Sequence, residues 1–342
     1  MRERIAWLDI AKAICITLVV VMHSTFGVEM AVGEIGWLHW LGEFSVPFRM
    51  PDFFLIAGMF LAARIDQPWR TYLDRRVLHF AYLYVLWLTI NFAVKAPSFA
   101  AEAGWDGVAR DYLIAFIDPW GALWFIYHLA LFFLVTRLLR PVPWPVVWLA
   151  AAALEIAPIE TGWMLPDQFA ARFVYFYTGY VFARHILRLG EAMDARPLAA
   201  LAGLAVWAPL NGWLVASGHA ALPFVSLALG FAGAWAVITA AGLLARTPVA
   251  APVSWFGSRS LPIYLAFFLP MAATRVILLK LGIIDDVGTM SLLVTIAALA
   301  GPVILYELTQ RSGWGSFLFE RPAWARIDGH WRRPRGAPLP AE

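Results

Sequence analysis

Residues 8–25 read LDIAKAICITLVVVMHST. The stretch is apolar enough to cross a bilayer, yet it holds Asp9 and Lys12 near one end and His23 near the other. A charged group at membrane depth is costly, so it normally faces a bundle interior or a wet cavity. On a helix, two residues 11 apart are rotated by about three full turns plus 20° and separated by roughly 16 Å. Lys12 and His23 therefore share a face, and Asp9, three residues before Lys12, can pair with it. Two plainer readings stand beside this one. Lys12 can snorkel to an interface with Asp9 as partner, and His23 can be an ordinary headgroup-level histidine.

The rest of the chain settles the fold class. Of 342 residues 61% are hydrophobic and only 14% charged, with a mean hydropathy of +0.70. A soluble domain of this length carries closer to a quarter charged residues. Eighteen tryptophans and 24 phenylalanines suit interfacial aromatic belts. The sequence thus predicts an all-α integral membrane protein. The net charge of +3 arises from basic residues that alternate with apolar blocks, which excludes a nucleic-acid patch. The single cysteine, Cys15, excludes an internal disulfide and a cysteine-based metal cage, and reads as a small buried hydrophobe. The N-terminal MRER followed by an apolar run resembles a signal peptide. The run is interrupted by Asp9 and Lys12 and lacks a convincing cleavage site, so it reads as a retained first span.

Ten stretches are candidate spans: 8–27, 46–63, 77–95, 120–139, 142–158, 168–187, 198–216, 220–244, 259–279 and 289–309. The stretch 142–158 is the weakest, being short, opened by Pro143 and Pro145, and carrying Glu155. Basic residues fall in alternate connections: Arg2 and Arg4; Arg64, Arg70, Arg75 and Arg76; Arg137 and Arg140; Arg184, Arg188 and Arg196; Arg246 and Arg259; then Arg311 to Arg335. The intervening connections hold few basic residues and many acids, among them Glu29, Glu34, Glu43, Asp106, Asp111, Asp285 and Asp286. By the positive-inside rule both termini are expected in the cytoplasm. A ten-span membrane domain over 1–311 is then followed by a short, basic, solvated cytoplasmic tail over 312–342 near the anionic leaflet.

Four motifs, in order along this frame, carry a family resemblance. KAICITLVVVMH (12–23) resembles the R/K-x10-H signature of the membrane acyltransferase-3 family, bacterial O-acyltransferases of surface and periplasmic glycans. FSVPFRMPDFFLIAGMF (44–60) resembles that family's second span, GALWFIYHLALFFLV (121–135) its fourth, and GSRSLPIYLAFFLP (257–270) its S-L-x-I-Y-L element. The chain departs at Arg49, where members often have histidine; at Asp52, where leucine is common; and at Ala57, where serine precedes the glycine. Phe267 stands where many have a histidine. Direct carry-over therefore reaches Lys12 and His23.

The resemblance implies an inner-membrane acyltransferase. It would move an acetyl or succinyl group from cytoplasmic acyl-CoA, a co-substrate and not a bound cofactor, to a hydroxyl of a carbohydrate or glycolipid presented across the lipid bilayer. His23 is the expected base, since an imidazole titrates near neutrality. Lys12, kept charged by Asp9, would orient the CoA arm. Arg70, Arg75 and Arg76 can dock its phosphates, or serve equally as topology signals and headgroup contacts. Arg49, Asp52 and Tyr264 are candidate acceptor contacts, although Arg49 and Asp52 at i, i+3 can simply pair and Tyr264 can simply pack. His128 and Glu155 are further polar groups at membrane depth. Gly230 and Ala234 give a small-xxx-small spacing for helix packing. Nucleotide-binding, zinc-protease and serine-hydrolase motifs do not occur in the sequence. The competing reading is a proton-coupled transporter or flippase using the same buried charges.

Overall fold

A computed structural model describes residues 6–327. The termini, with Arg2, Arg4, Arg332, Arg333 and Arg335, lie outside the described residues. Among the described residues the regular structure is entirely helical. The order is α1 (Ala6–Val32), α2 (His39–Phe44), α3 (Arg49–Ala62) and α4 (Trp69–Tyr72), then a π-helical turn (Leu73–Val77) leading into α5 (Leu78–Ile114). There follow α6 (Trp124–Leu138), α7 (Trp144–Ile156), α8 (Met164–Ala195), α9 (Pro197–Ala216) and α10 (Val225–Leu244). The last four are α11 (Ala250–Gly257), α12 (Ser260–Ala266), α13 (Phe268–Leu281) and α14 (Val287–Ser312).

Each of the ten apolar stretches falls on a helix. Six continuous helical stretches are long and apolar enough to cross a membrane, and α12 with α13 makes a seventh if the bent pair is one span. α7, at 13 residues, is about 20 Å long against a hydrocarbon core of about 30 Å. α5 runs well beyond the expected 77–95, through Pro97 and past Gly104, whose φ of 73° interrupts the helical geometry. Polar residues such as Glu102, Asp106 and Arg110 mark this extension as connection in the sequence, although it is helical.

The chain divides into two compact units. The first comprises residues up to 60 and 175–307. Here α1 is the central helix, with α10, α11, α2 and α12 packed around it. Two contacts bring backbones together. A side chain at Gly257 would collide with the Asp9 carbonyl, so the end of α11 rests directly on the first turns of α1. Gly58 and Gly179 do the same for α3 and α8: a methyl on either would strike the Phe176 or Leu55 carbonyl. Small residues at such crossings permit the close approach on which helix packing in lipid depends. The Gly230 and Ala234 pair behaves as its spacing suggests, with Gly230 under the Tyr175 ring and Ala234 buried.

The second unit comprises 61–174 and the stretch after 307. Its α6 carries buried His128, whose ring nitrogens lie 2.8 Å from the Trp124 carbonyl and 3.0 Å from the Leu165 carbonyl. Asp118 accepts the Leu165 N–H at 3.1 Å, so His128 helps tie α6 to the start of α8. The C-terminal stretch departs from the expected solvated tail. Phe319 is buried against Trp87, and the Trp87 indole donates to the Leu318 carbonyl at 2.8 Å. Arg321 is buried in an ion pair with Asp74, which also accepts the Ile327 N–H at 2.8 Å. The basic content of this stretch predicts solvation, whereas its Phe319 and Arg321 have partners waiting in the π turn and α5.

Candidate active site

The candidate site is built on α1, unbroken from Ala6 to Val32, so that Lys12 and His23 stand on one rigid element. At its N-terminal end Lys12 Nζ lies 2.8 Å from Asp9 Oδ1, with the Lys12 side chain 11% exposed. The ammonium also sits 5.6 Å from the centroid of the Phe60 ring, near the end of α3. The expected Asp9–Lys12 pair is thus formed, and the aromatic face adds a second attraction for the cation.

His23 is half-buried, and among the described residues neither of its ring nitrogens is hydrogen-bonded. Its ring lies 5.4 Å from that of Phe267. Phe267 occupies the joint between α12 and α13, where the axis bends by 52°. Pro270 accounts for the bend: it has no N–H to offer the Ala266 carbonyl, so the helical ladder is interrupted one turn before it. Tyr264, buried in α12, follows in the same row of rings, 6.4 Å from Phe267. The sequence marks Phe267 only as a departure from a family pattern; Pro270, the third residue of α13, is the signal that a break would place it specially.

Arg49, the first residue of α3, lies within electrostatic range of the His23 imidazole. Its guanidinium donates to the Gly42 carbonyl at 2.8 Å and to Ser45 Oγ at 3.3 Å. It does not pair with Asp52, the local alternative that i, i+3 spacing allows. Arg49 reaches back to the end of α2, while Asp52, one turn on, faces α1. There the Cys15 thiol approaches Asp52 Oδ2 at 3.9 Å, and Oδ1 has no hydrogen-bond partner among the described residues. Cys15 is fully buried, as expected, but it is not merely a space-filling hydrophobe. The seam between α1 and α3 therefore carries two contacts, Cys15 with Asp52 and Lys12 with the Phe60 ring, with Arg49 at the α3 end nearer His23.

These groups are of the kinds an acyl transfer needs: an imidazole with no hydrogen bond among the described residues, a guanidinium within electrostatic range of it, and a cation further along the same helix. Residues 5–307 match the sequence model of the acyltransferase-3 family, described as an acyltransferase domain. The chain belongs to the acyltransferase-3 family. Membership implies a membrane acyltransferase. A curated relative, the inner membrane protein YcfT of Escherichia coli (strain K12), is 25% identical over 236 residues, which cover 63% of this chain and 66% of the relative. No solved structure matches the chain. Lys12 and His23, whose spacing resembles a family signature, both lie in the first compact unit, with Arg49, Asp52 and Tyr264.

The arginines expected to receive CoA belong to the second unit. Arg70 donates to the Ile327 carbonyl at 3.1 Å, Arg75 is half-buried, and Arg76 is buried with its guanidinium 5.7 Å from the Phe133 ring. Among the described residues no group of histidine, cysteine, aspartate and glutamate side chains is arranged to hold a metal ion.

Proposed function

We propose that the protein is a membrane O-acyltransferase that moves an acyl group, acetyl or succinyl, from cytoplasmic acyl-CoA to a hydroxyl of a periplasmic or surface glycan. The placement of His23 carries the reading: among the described residues its ring nitrogens have no hydrogen bond, the α3 guanidinium of Arg49 is within electrostatic range of it, and the other end of its own helix holds Lys12. His23 takes the proton of the acceptor hydroxyl as that oxygen attacks the thioester carbonyl. The carbon–sulfur bond then breaks, and the departing thiolate receives the same proton, so ester and free CoA thiol are the only products. Arg49 faces the negative charge that develops on the carbonyl oxygen, where a preorganised donor contributes most. Asp52 and Tyr264 contact the acceptor. Lys12, held by Asp9, orients the CoA arm, and Arg70, Arg75 and Arg76 receive its phosphates. The ten helical stretches cross the inner membrane with both termini in the cytoplasm, which gives donor and acceptor access from opposite sides.

The test is mass analysis of periplasmic and surface glycans from cells expressing wild type or His23→Ala at equal level. Acylation is expected with the wild type and absent with the variant. Unchanged acylation in the variant removes His23 from the mechanism. Acylation independent of the gene, together with a solute gradient that depends on it, turns the reading to a carrier.

A further inference from the structure

α2 packs on the very turn of α1 that carries His23. A methyl group on Gly42 would stand 3.6 Å from the Phe26 ring and 3.9 Å from the Met22 backbone, ordinary contact distances on either side of the histidine. The two ends of α2 are fastened by different groups. At its start, His39 Nδ1 lies 2.8 Å from Glu29 Oε2 of α1. A carboxylate only accepts, so Nδ1 carries the proton in this pair. The other Glu29 oxygen accepts the Gly36 N–H at 3.1 Å. The His39 ring is further confined by Phe26, at 5.4 Å between centroids, and by Trp40, edge-on at 5.6 Å.

At the far end of α2 the fastening is Arg49. Both of its acceptors given above, the Gly42 carbonyl and Ser45 Oγ, belong to the last turn of α2 or the residue after it, and Ser45 Oγ donates to the same carbonyl at 2.9 Å. An arginine side chain has many rotamers, and its guanidinium stays where its acceptors are. Other charged groups near this end of α1 are engaged elsewhere: Arg275 donates to the Gly27 carbonyl at 2.8 Å, and Asp286 accepts from the Trp37 indole at 3.3 Å.

We propose that Glu29 and His39 are positioning residues for Arg49: by pinning the start of α2 to α1 they fix the Gly42 carbonyl, and with it the guanidinium this carbonyl holds near the His23 turn. Their importance for acylation rests on the reading of His23 as base, but the mechanical link does not. Ring packing of Phe44 and Phe48 on Trp207 and the Asn211 bond to the Phe44 carbonyl, 2.9 Å, also hold α2. The question is therefore whether the Glu29–His39 bond adds a constraint that this packing does not.

The experiment follows the carbethoxylation of His23 by diethyl pyrocarbonate as a function of pH, read by peptide mass analysis on the purified full-length protein. Arg49→Met is expected to move the midpoint of the His23 profile, because a neighbouring charge has been removed. His39→Phe, which keeps a ring against Phe26 but loses the bond to Glu29, is expected to move it in the same direction and by a comparable amount. The double variant is expected to move it no further, as two residues acting through one contact are non-additive. His39→Asn, whose amide can donate from nearly the same place, is expected to retain the wild-type midpoint. Glu29→Leu, which removes the acceptor altogether, should shift it as His39→Phe does, and carries the test if the phenylalanine variant does not fold. A wild-type midpoint in both His39→Phe and Glu29→Leu overturns the proposal, as does an equal shift in His39→Asn or the absence of a shift in Arg49→Met. No acyl donor is present, so failure of this link and failure of the acyltransferase reading are told apart.

Discussion

Asp52 and Asp74 are buried to nearly the same degree, 1% and 2% exposed, and are treated in opposite ways. Asp74 is neutralised by a guanidinium, and the same oxygen also accepts a backbone N–H. Among the described residues Asp52 meets a single thiol at 3.9 Å and leaves one oxygen without a hydrogen bond. A buried polar atom without a partner costs about 1–3 kcal/mol. Native folds keep such groups sparingly, and often where function demands them. The difference separates a carboxylate held in an ion pair from one that is not, and the second lies on the α1–α3 seam, where the proposed function puts the chemistry.

The largest effect should come from that seam. His23→Gln should lower acyl transfer by about 10²–10⁴-fold, the usual contribution of a general base, with an unchanged thermal unfolding temperature. A variant that lost stability in proportion would make His23 a packing residue. The next largest should come from the other side of the comparison. Arg321→Ala leaves Asp74 buried without its cation and should cost about 3–5 kcal/mol of stability, seen as a large drop in the unfolding temperature in detergent. Gly257→Ala drives a methyl into the Asp9 carbonyl and should cost about 1–3 kcal/mol, loosening the Asp9–Lys12 end of α1. Asp52→Asn sharpens the contrast most directly: its unfolding temperature should stay within a degree or two of wild type or rise, roughly 1 kcal/mol at most, while acyl transfer falls. A destabilised Asp52→Asn together with a stable Asp74→Asn would erase the distinction.

The smallest effect concerns pH. The Asp286 carboxyl is held below its ordinary value by the hydroxyl and N–H of Thr289, with the Trp37 indole adding to them. Its contribution is present above the ordinary carboxylate range and is lost as pH falls through the depressed folded value. The Asp286→Asn variant should therefore show a slightly flatter decline of unfolding temperature on acidification than wild type.

Much of this arrangement is legible in the residues alone. Apolar runs of membrane-spanning length locate the helices, and the spacing of Asp9, Lys12 and His23 puts the charged pair and the histidine on one element. Local rules fail where a distant partner competes. Arg49 and Asp52 obey helical spacing for a pair, but the Gly42 carbonyl and the Ser45 hydroxyl at the end of α2 capture the arginine first. α2 is six residues long, too short to leave a periodic signal, so the Glu29–His39 contact across it is invisible in the sequence. The extension of α5 is hidden by Pro97 and Gly104, which punctuate a sequence more often than they continue a helix.

The docked stretch from Ser316 to Ile327 has a practical corollary for anyone expressing this protein. Hydropathy invites a truncation or fusion junction at residue 312, where the last apolar helix stops. Cutting there would strip Arg321 from Asp74 and an acceptor from the Trp87 indole, and would set a buried carboxylate loose beneath the reporter. A junction placed beyond residue 327 keeps the strap seated.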